Sequence, residues 1–351
     1  MKSISIIAIS LCSLLTFYHV IRTYEILESD VSVVLEIVSN PTRTFPFPCE
    51  DVIATPQMQA PGSYRILNNY VKAVKTFGCN ESITYTTHSD YTYLDNLIPL
   101  VSRWQGPVSI AIYTPRQDFQ ETVKRIRYLR HCHPNASLVL NFVTFHLFFD
   151  EENKPKVISE NPLQNLKCGS YKPKFGANLK TTRTRRNLKY PVNVARNLAR
   201  MMSTTYYVLP SDIELYPNPG LIPRFLNMVL ANDRYMRRVP PKVHVLPVFE
   251  VEASARVPDT KEELVEMLRR KTAVSFHQFY CEMCHKIPKA DKWRRVFSNV
   301  TKVFHVAKRT SPHNHWEPIF IGTKSDPLYD ERLSWEGKSD KMTQVIVIYS
   351  I

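Results

Sequence analysis

Short apolar runs rich in β-branched residues alternate with amphipathic segments along most of this chain, and that alternation restricts the fold more than any other feature. "VSIAIYT" (108–114) reads as a buried strand, and "DFQETVKRIRYLRH" (118–131) as a helix with Phe119, Val123, Ile126 and Leu129 on one face. "SLVLNFVTFHLFF" (137–149) reads as a further buried strand, and "PVNVARNLARMM" (191–202) as a helix with Pro191 near its start. "TYYVLP" (205–210) is a strand, "LIPRFLNMVLAND" (221–233) a broken helix, "KVHVLPVFEVE" (242–252) a strand, and "TKEELVEMLRRKTA" (260–273) a helix capped by Thr260. Strand–helix alternation of this kind predicts an α/β fold: a mainly parallel sheet flanked by helices. With 351 residues and a 44% hydrophobic composition, the chain can fill such a core.

The N-terminal part has a different character. Lys2 precedes a mostly apolar run from Ser3 to Ile21, long enough to cross a bilayer as a helix, so residues 1–24 are expected to form a signal anchor. Residues 25–75, rich in Pro, Thr and Ser with no sustained period, are expected to form a luminal stem, and residues 76–351 the catalytic domain. Two features agree with a secretory lumen. Three glycosylation sequons begin at Asn80, Asn135 and Asn299, and six cysteines outside the anchor form an even set of unspecified pairing. The net charge of +14 favours anionic ligands. A luminal address directs that preference toward phosphate-bearing or acidic-sugar ligands and away from nucleic acid.

The chemistry concentrates at "YYVLPSDIELYPNPG" (206–220), where an apolar strand ends in two carboxylates, Asp212 and Glu214. Ligands of open parallel sheets sit at the carboxyl ends of strands. Two acids one residue apart can face one hard divalent cation, and Mn²⁺ or Mg²⁺ takes such oxygens together with substrate phosphates. The competing reading is a solvated acidic turn. Upstream, 167–200 carries ten basic residues, most of them read as a solvated loop. Arg196 stands apart, inside a helix with Asn193 and Asn197, as a candidate for binding a donor diphosphate or ribose.

Several long blocks in order, "YPVNVARNLAR…TYYVLPSDIELYPNPGLIPRFL", "VHVLPVFEVE" and "DPLYDERLSWEGKSDKMTQ", resemble glycosyltransferase family 49, whose members include glucuronyltransferases of α-dystroglycan glycan synthesis. The resemblance runs from about His88 to Gln344. It implies a GT-A fold that binds a nucleotide-diphospho-sugar, with Asp212 and Glu214 on the metal motif. It also implies a UDP-sugar donor, Mn²⁺, inversion at the transferred sugar, and a single-pass type II Golgi membrane protein. Glucuronic acid, passed from UDP-glucuronic acid to a glycan hydroxyl such as that of xylose on a glycoprotein, is the expected reaction. Oligomers with itself or with other transferases are compatible with it.

An inverting transfer needs a base. Asp340, ahead of Glu336, is the candidate, with Trp335 expected to stack on the acceptor sugar and Glu250 to bind the donor. His277, Cys281, Cys284 and His285 have the residue types of a zinc site, but cysteine pairing is favoured over it. The ending "KMTQVIVIYSI" departs from the resemblance, which continues with more sheet and a histidine that completes the metal shell. A weaker grip on metal and donor is expected. The alternative function is a truncated, non-catalytic member that binds glycan or a partner transferase.

Overall fold

The computed structural model describes residues 47, 49–50, 63–159, 162–163, 168–231, 243–281, 284–307, 316–333, 341 and 344, together with the backbone of 8–9 and 57–59. The expected anchor lies outside these residues apart from Ala8–Ile9, a two-residue strand beside Tyr216–Pro217. Among the described residues no helix is long and apolar enough to cross a membrane.

Eight strands form the main sheet: β1 (Gln57–Gln59), β2 (Tyr64–Val71), β3 (Ile83–Ser89), β4 (Val108–Tyr113), β5 (Val143–Asp150), β6 (Tyr207–Pro210), β7 (His244–Leu246) and, late in the chain, Ile319–Thr323. Two further strands, β8 (Phe249–Val251) and β9 (Ala273–Ser275), pair antiparallel outside it, which makes Ile319–Thr323 β10. The order across the sheet is β1-β2-β5-β4-β3-β6-β10-β7. The four central strands, β5-β4-β3-β6, are parallel, and both flanks are antiparallel. The expected mainly parallel sheet is therefore a parallel centre with antiparallel margins. The sheet also takes in residues 64–71, ahead of the position where the sequence reading ends the stem.

Helices cover both faces. α1 (Leu97–Trp104), α2 (Asp118–His131) and α3 (Ala136–Phe142) follow β3 and β4. The short α4 (Thr182–Arg186) and α5 (Val192–Met201) precede β6, and α6 (Leu221–Ala231) follows it. The period-2 alternation of β4 splits its side chains between two cores. Val108, Ile110 and Ile112 pack with Leu100, Phe119 and Phe225 on one face, whereas Ala111 and Tyr113 pack with Ala195 and Leu198 of α5 on the other. A third cluster joins β8 and β9 to α7 (Lys261–Arg270) and α8 (Ala290–Arg295) through Phe249, Leu264 and Trp293. Thr260 caps α7, its side chain accepting the Glu263 N–H.

Three segments differ from the sequence reading. The run 137–149, read as one strand, is helix α3 followed by strand β5; thirteen residues exceed the usual strand length, and the first half closes a helical turn against α2 instead. α6 is continuous through Pro223, because the third residue of a helix has no intrahelical N–H bond to lose. The run 242–252 is two strands in two sheets. Pro247, which cannot donate to a ladder, separates β7 in the main sheet from β8 in the ribbon.

Candidate functional site

The connections β3–α1–β4 and β4–α2–α3–β5 step the sheet in one direction, and the return through α5 places β6 on the opposite side of β3. Strand order therefore reverses between β3 and β6, and the crevice beyond their carboxyl ends is where an open α/β sheet binds its ligand. His88 lies near the end of β3, and Asp212 follows β6 by two residues.

The turn carrying the two acids is fixed from beneath. Ser211 N–H bonds to the Thr86 carbonyl at 3.0 Å, continuing the β3–β6 ladder, and Leu215 N–H closes the turn on the Asp212 carbonyl at 3.0 Å. The buried Tyr85 hydroxyl lies 2.7 Å from the Asp212 carbonyl oxygen and 2.8 Å from that of Leu215. Ile213 and Leu215 are buried, and this alternation leaves Asp212 and Glu214 half-buried.

Basic side chains surround the Asp212 carboxylate. Lys341 Nζ is 2.9 Å from Oδ2, Arg196 Nη2 is 3.6 Å from Oδ1, and His88 Nε2 is 3.6 Å from Oδ1. Burial alone would raise the pKa of this carboxyl. The Lys341 ammonium, His88 and the Arg196 guanidinium reverse that and hold it well below the usual carboxylate range. His88 is held below the usual histidine value by burial, against the pull of Asp212. Its Nδ1 lies 3.0 Å from the Tyr190 hydroxyl, while its buried Nε2, beyond hydrogen-bond reach of Asp212, has no hydrogen-bond partner among the described residues.

The other candidates divide. Arg196, steadied by the Asn193 Oδ1 at 3.0 Å and lying over the Tyr329 ring, reaches Asp212. Asn193 and Asn197 are buried and face the segment after β10: Asn193 donates to the Asp330 carbonyl at 2.8 Å, and Asn197 exchanges bonds of 2.9 Å with the Tyr329 backbone. Glu250 does not end a strand of the main sheet. It sits on β8, and its buried carboxylate accepts the His277 N–H at 2.9 Å. The Asp212 and Lys341 charges still act on the imidazole of His277. Trp335, Glu336 and Asp340 lie outside the described residues. Asn80, Asn135 and Asn299 are exposed.

Sequence reasoning omitted His88 and Lys341. His88 had a usable signal, a polar residue one position before the end of a central parallel strand; Lys341 had none beyond its place in the block that carries the family resemblance. The cysteines pair as Cys49–Cys79, Cys132–Cys168 and Cys281–Cys284. The last pair joins near neighbours and leaves no thiolate there for zinc.

The residues fit a divalent cation in one specific sense. Among the described residues no three of His, Cys, Asp and Glu gather into a ready metal site. Asp212, with Glu214 in the same turn and an unpartnered ring nitrogen at His88, offers a partial donor set. Such a set suits a cation that completes its shell on substrate phosphates, not one held in an all-protein cage.

An acidic turn at the switch point of a partly parallel sheet, ringed by basic side chains, lies where an open α/β sheet takes its ligand. Residues 82–351 match the family described as "Glycosyl-transferase for dystroglycan", and the chain belongs to that family. It is 27% identical over 296 residues to beta-1,4-glucuronyltransferase 1 of Danio rerio, covering 77% of this chain and 64% of that protein. Against the same-named protein of Mus musculus it is 26% identical over 290 residues, covering 80% of this chain and 66% of the relative. It is 23% identical over 255 residues to the xylosyl- and glucuronyltransferase LARGE1 of Mus musculus, covering 72% of this chain and 27% of that one. The chain thus spans a little under two thirds of the glucuronyltransferases it matches.

Proposed function

We propose that this chain transfers glucuronic acid from UDP-glucuronic acid to a glycan hydroxyl, such as that of xylose, on a glycoprotein. The observation that carries the reading is the Asp212 carboxylate at the β3–β6 switch point, with Lys341 and Arg196 within 2.9 and 3.6 Å. A donor with both a diphosphate and a uronate carboxylate suits that surplus of positive charge, and relatives named as glucuronyltransferases support the choice of sugar.

In this reading the acceptor oxygen bonds to the anomeric carbon as the bond from that carbon to the β-phosphate oxygen breaks. The electron pair leaves with UDP, and the configuration inverts. The acceptor proton passes to Asp340, or to Glu336 as the second choice. Trp335 offers a face for the acceptor sugar. Lys341 and Arg196 meet the charge that develops on the leaving diphosphate. Asp212 and Glu214 would hold Mn²⁺, or Mg²⁺, which when bound supplies Lewis-acid stabilisation of that charge. The N-terminal apolar run and the exposed sequons support a type II Golgi membrane protein with this domain in the lumen.

The test is UDP release by the purified chain with Mn²⁺, UDP-glucuronic acid and a β-xyloside, beside Asp212→Ala. Release by the parent that disappears in the variant is the expected result. A folded protein that binds UDP yet releases none on any glycan acceptor would overturn the enzymatic reading in favour of a glycan-binding relative.

A further inference from the structure

Both oxygens of the Asp212 carboxylate already face a cation. Lys341 Nζ lies 2.9 Å from Oδ2, and Arg196 Nη2 lies 3.6 Å from Oδ1. A divalent metal approaching this carboxylate meets an ammonium in its place and two positive charges opposing it. Among the described residues no three of His, Cys, Asp and Glu gather into a ready metal site that would offset displacing Lys341.

A nucleotide diphosphate changes both terms. Its oxygens complete a metal's shell, and they give the lysine a new anionic partner. The two cations differ in freedom. Arg196 is braced by Asn193 at 3.0 Å and lies over the Tyr329 ring at 5.4 Å. Lys341 carries its point charge on a flexible four-carbon stem and can move between two anions without rebuilding a planar contact. Asp212 itself keeps about a quarter of its side chain exposed, so an approach to it remains.

We propose that Lys341 is a built-in stand-in for the metal: it occupies Asp212 until a nucleotide diphosphate draws it off, so that divalent cation and nucleotide bind this chain together and the cation alone binds poorly. The proposal rests on the diphosphate-binding reading above. It makes Lys341 a positioning residue whose removal strengthens one interaction and weakens another.

The experiment is a Mn²⁺ titration of the full chain, followed by the electron paramagnetic resonance of free Mn²⁺, with and without saturating UDP. The parent, Lys341→Met and Lys341→Arg are compared, with thermal melts to establish folding. UDP should tighten Mn²⁺ binding to the parent by about tenfold or more, as expected when a unit charge a few ångströms away is removed at an intermediate dielectric. Lys341→Met should bind Mn²⁺ without UDP roughly tenfold tighter than the parent, bind UDP more weakly, and lose most of the coupling between the two. Lys341→Arg, which keeps the charge but not the lysine's freedom to move, should bind Mn²⁺ without UDP as poorly as the parent and show a smaller gain when UDP is added.

A merely structural lysine would not raise metal affinity when removed. Unchanged or weaker Mn²⁺ binding by a folded Lys341→Met, with UDP still bound by the parent, overturns this proposal alone. Absence of UDP binding by the parent in Mn²⁺ overturns the diphosphate reading first and this proposal with it. Lys341→Gln provides the same comparison should the methionine variant fail to fold.

Discussion

Two histidines on the central strands, His146 on β5 and His88 on β3, show opposite ways of burying a polar ring. His146 Nδ1 accepts the Asn69 N–H at 2.9 Å; its Nε2 therefore carries the proton of the neutral ring and donates to Ser109 Oγ at 3.0 Å. That hydroxyl passes its own proton to the Ala199 carbonyl at 2.7 Å, so a chain of bonds ties β2, β5, β4 and α5 together. His88 is as much a part of its strand, yet only its Nδ1 is engaged, and its Nε2 faces Asp212 across 3.6 Å. The first cluster uses every bond its groups can make. The second keeps an unfilled ring nitrogen and a carboxylate ringed by cations. What sets the second cluster apart is that its open ring nitrogen faces a carboxylate at the sheet's carboxyl edge, where a ligand would enter.

The contrast breaks first on Asp212→Asn, which keeps shape and removes charge. Transfer should fall by about a hundredfold or more, as removal of one group that stabilises developing charge does elsewhere, with a much smaller drop in melting temperature from the ion pairs lost to Lys341 and Arg196. A stability loss in place of the activity loss would make the two clusters alike. Next in size is the pair His146→Leu and His88→Leu in urea denaturation. The first strands the Asn69 N–H and should cost about 2 kcal/mol; the second gives up one hydrogen bond and should cost less than about 1 kcal/mol.

Acid sharpens the same comparison. Burial lowers the His146 pKa to about 3, against a usual value of about 6.5 in an unfolded chain. Between those values the unfolded state binds the extra proton, so stability is complete above about pH 6.5 and declines as the pH falls toward 3. His285, its pKa also lowered to about 3 by burial, contributes with the same sign. Urea midpoints measured from pH 7 to 4 should fall in the parent and fall less in His146→Leu. The smallest effect belongs to Tyr190→Phe, which frees His88 Nδ1: about 1 kcal/mol of stability at most. A weaker response of the melting temperature to UDP plus Mn²⁺ would accompany it.

The sequence made the parallel centre of this fold readable because β4, α2, α5 and β6 each carry a clean periodicity and clear ends. It misled where one apolar run served two purposes. Nothing in "SLVLNFVTFHLFF" marks the passage from helix to strand at Val143, and Pro247 interrupts a run whose halves belong to different sheets. Of the candidate site, Asp212, Glu214 and Arg196 stood out in the sequence, since acids after a buried strand and a basic residue inside an apolar helix are unusual. Lys341 did not, and His88 had only its place near the end of a strand, because what qualifies both is proximity across 129 and 124 positions of chain from Asp212, which pairing alone creates. Asn193 and Asn197 show the converse. They have the right chemistry for a ligand, and the structure directs it to the chain's own backbone.

That use of α5 bears on how the protein comes apart. Asn193, Asn197 and Arg200 hold the carbonyls of Thr323, Asp326, Pro327, Tyr329 and Asp330. The Tyr329 amide is fastened in return to Asn197 Oδ1 at 2.9 Å. The stretch 323–330 has little regular structure of its own, yet these bonds break only when α5 leaves the sheet. In hydrogen exchange the Tyr329 amide should therefore open as slowly as those of β4 and β5, as a member of the same cooperative unit, despite lying in a segment without helix or strand.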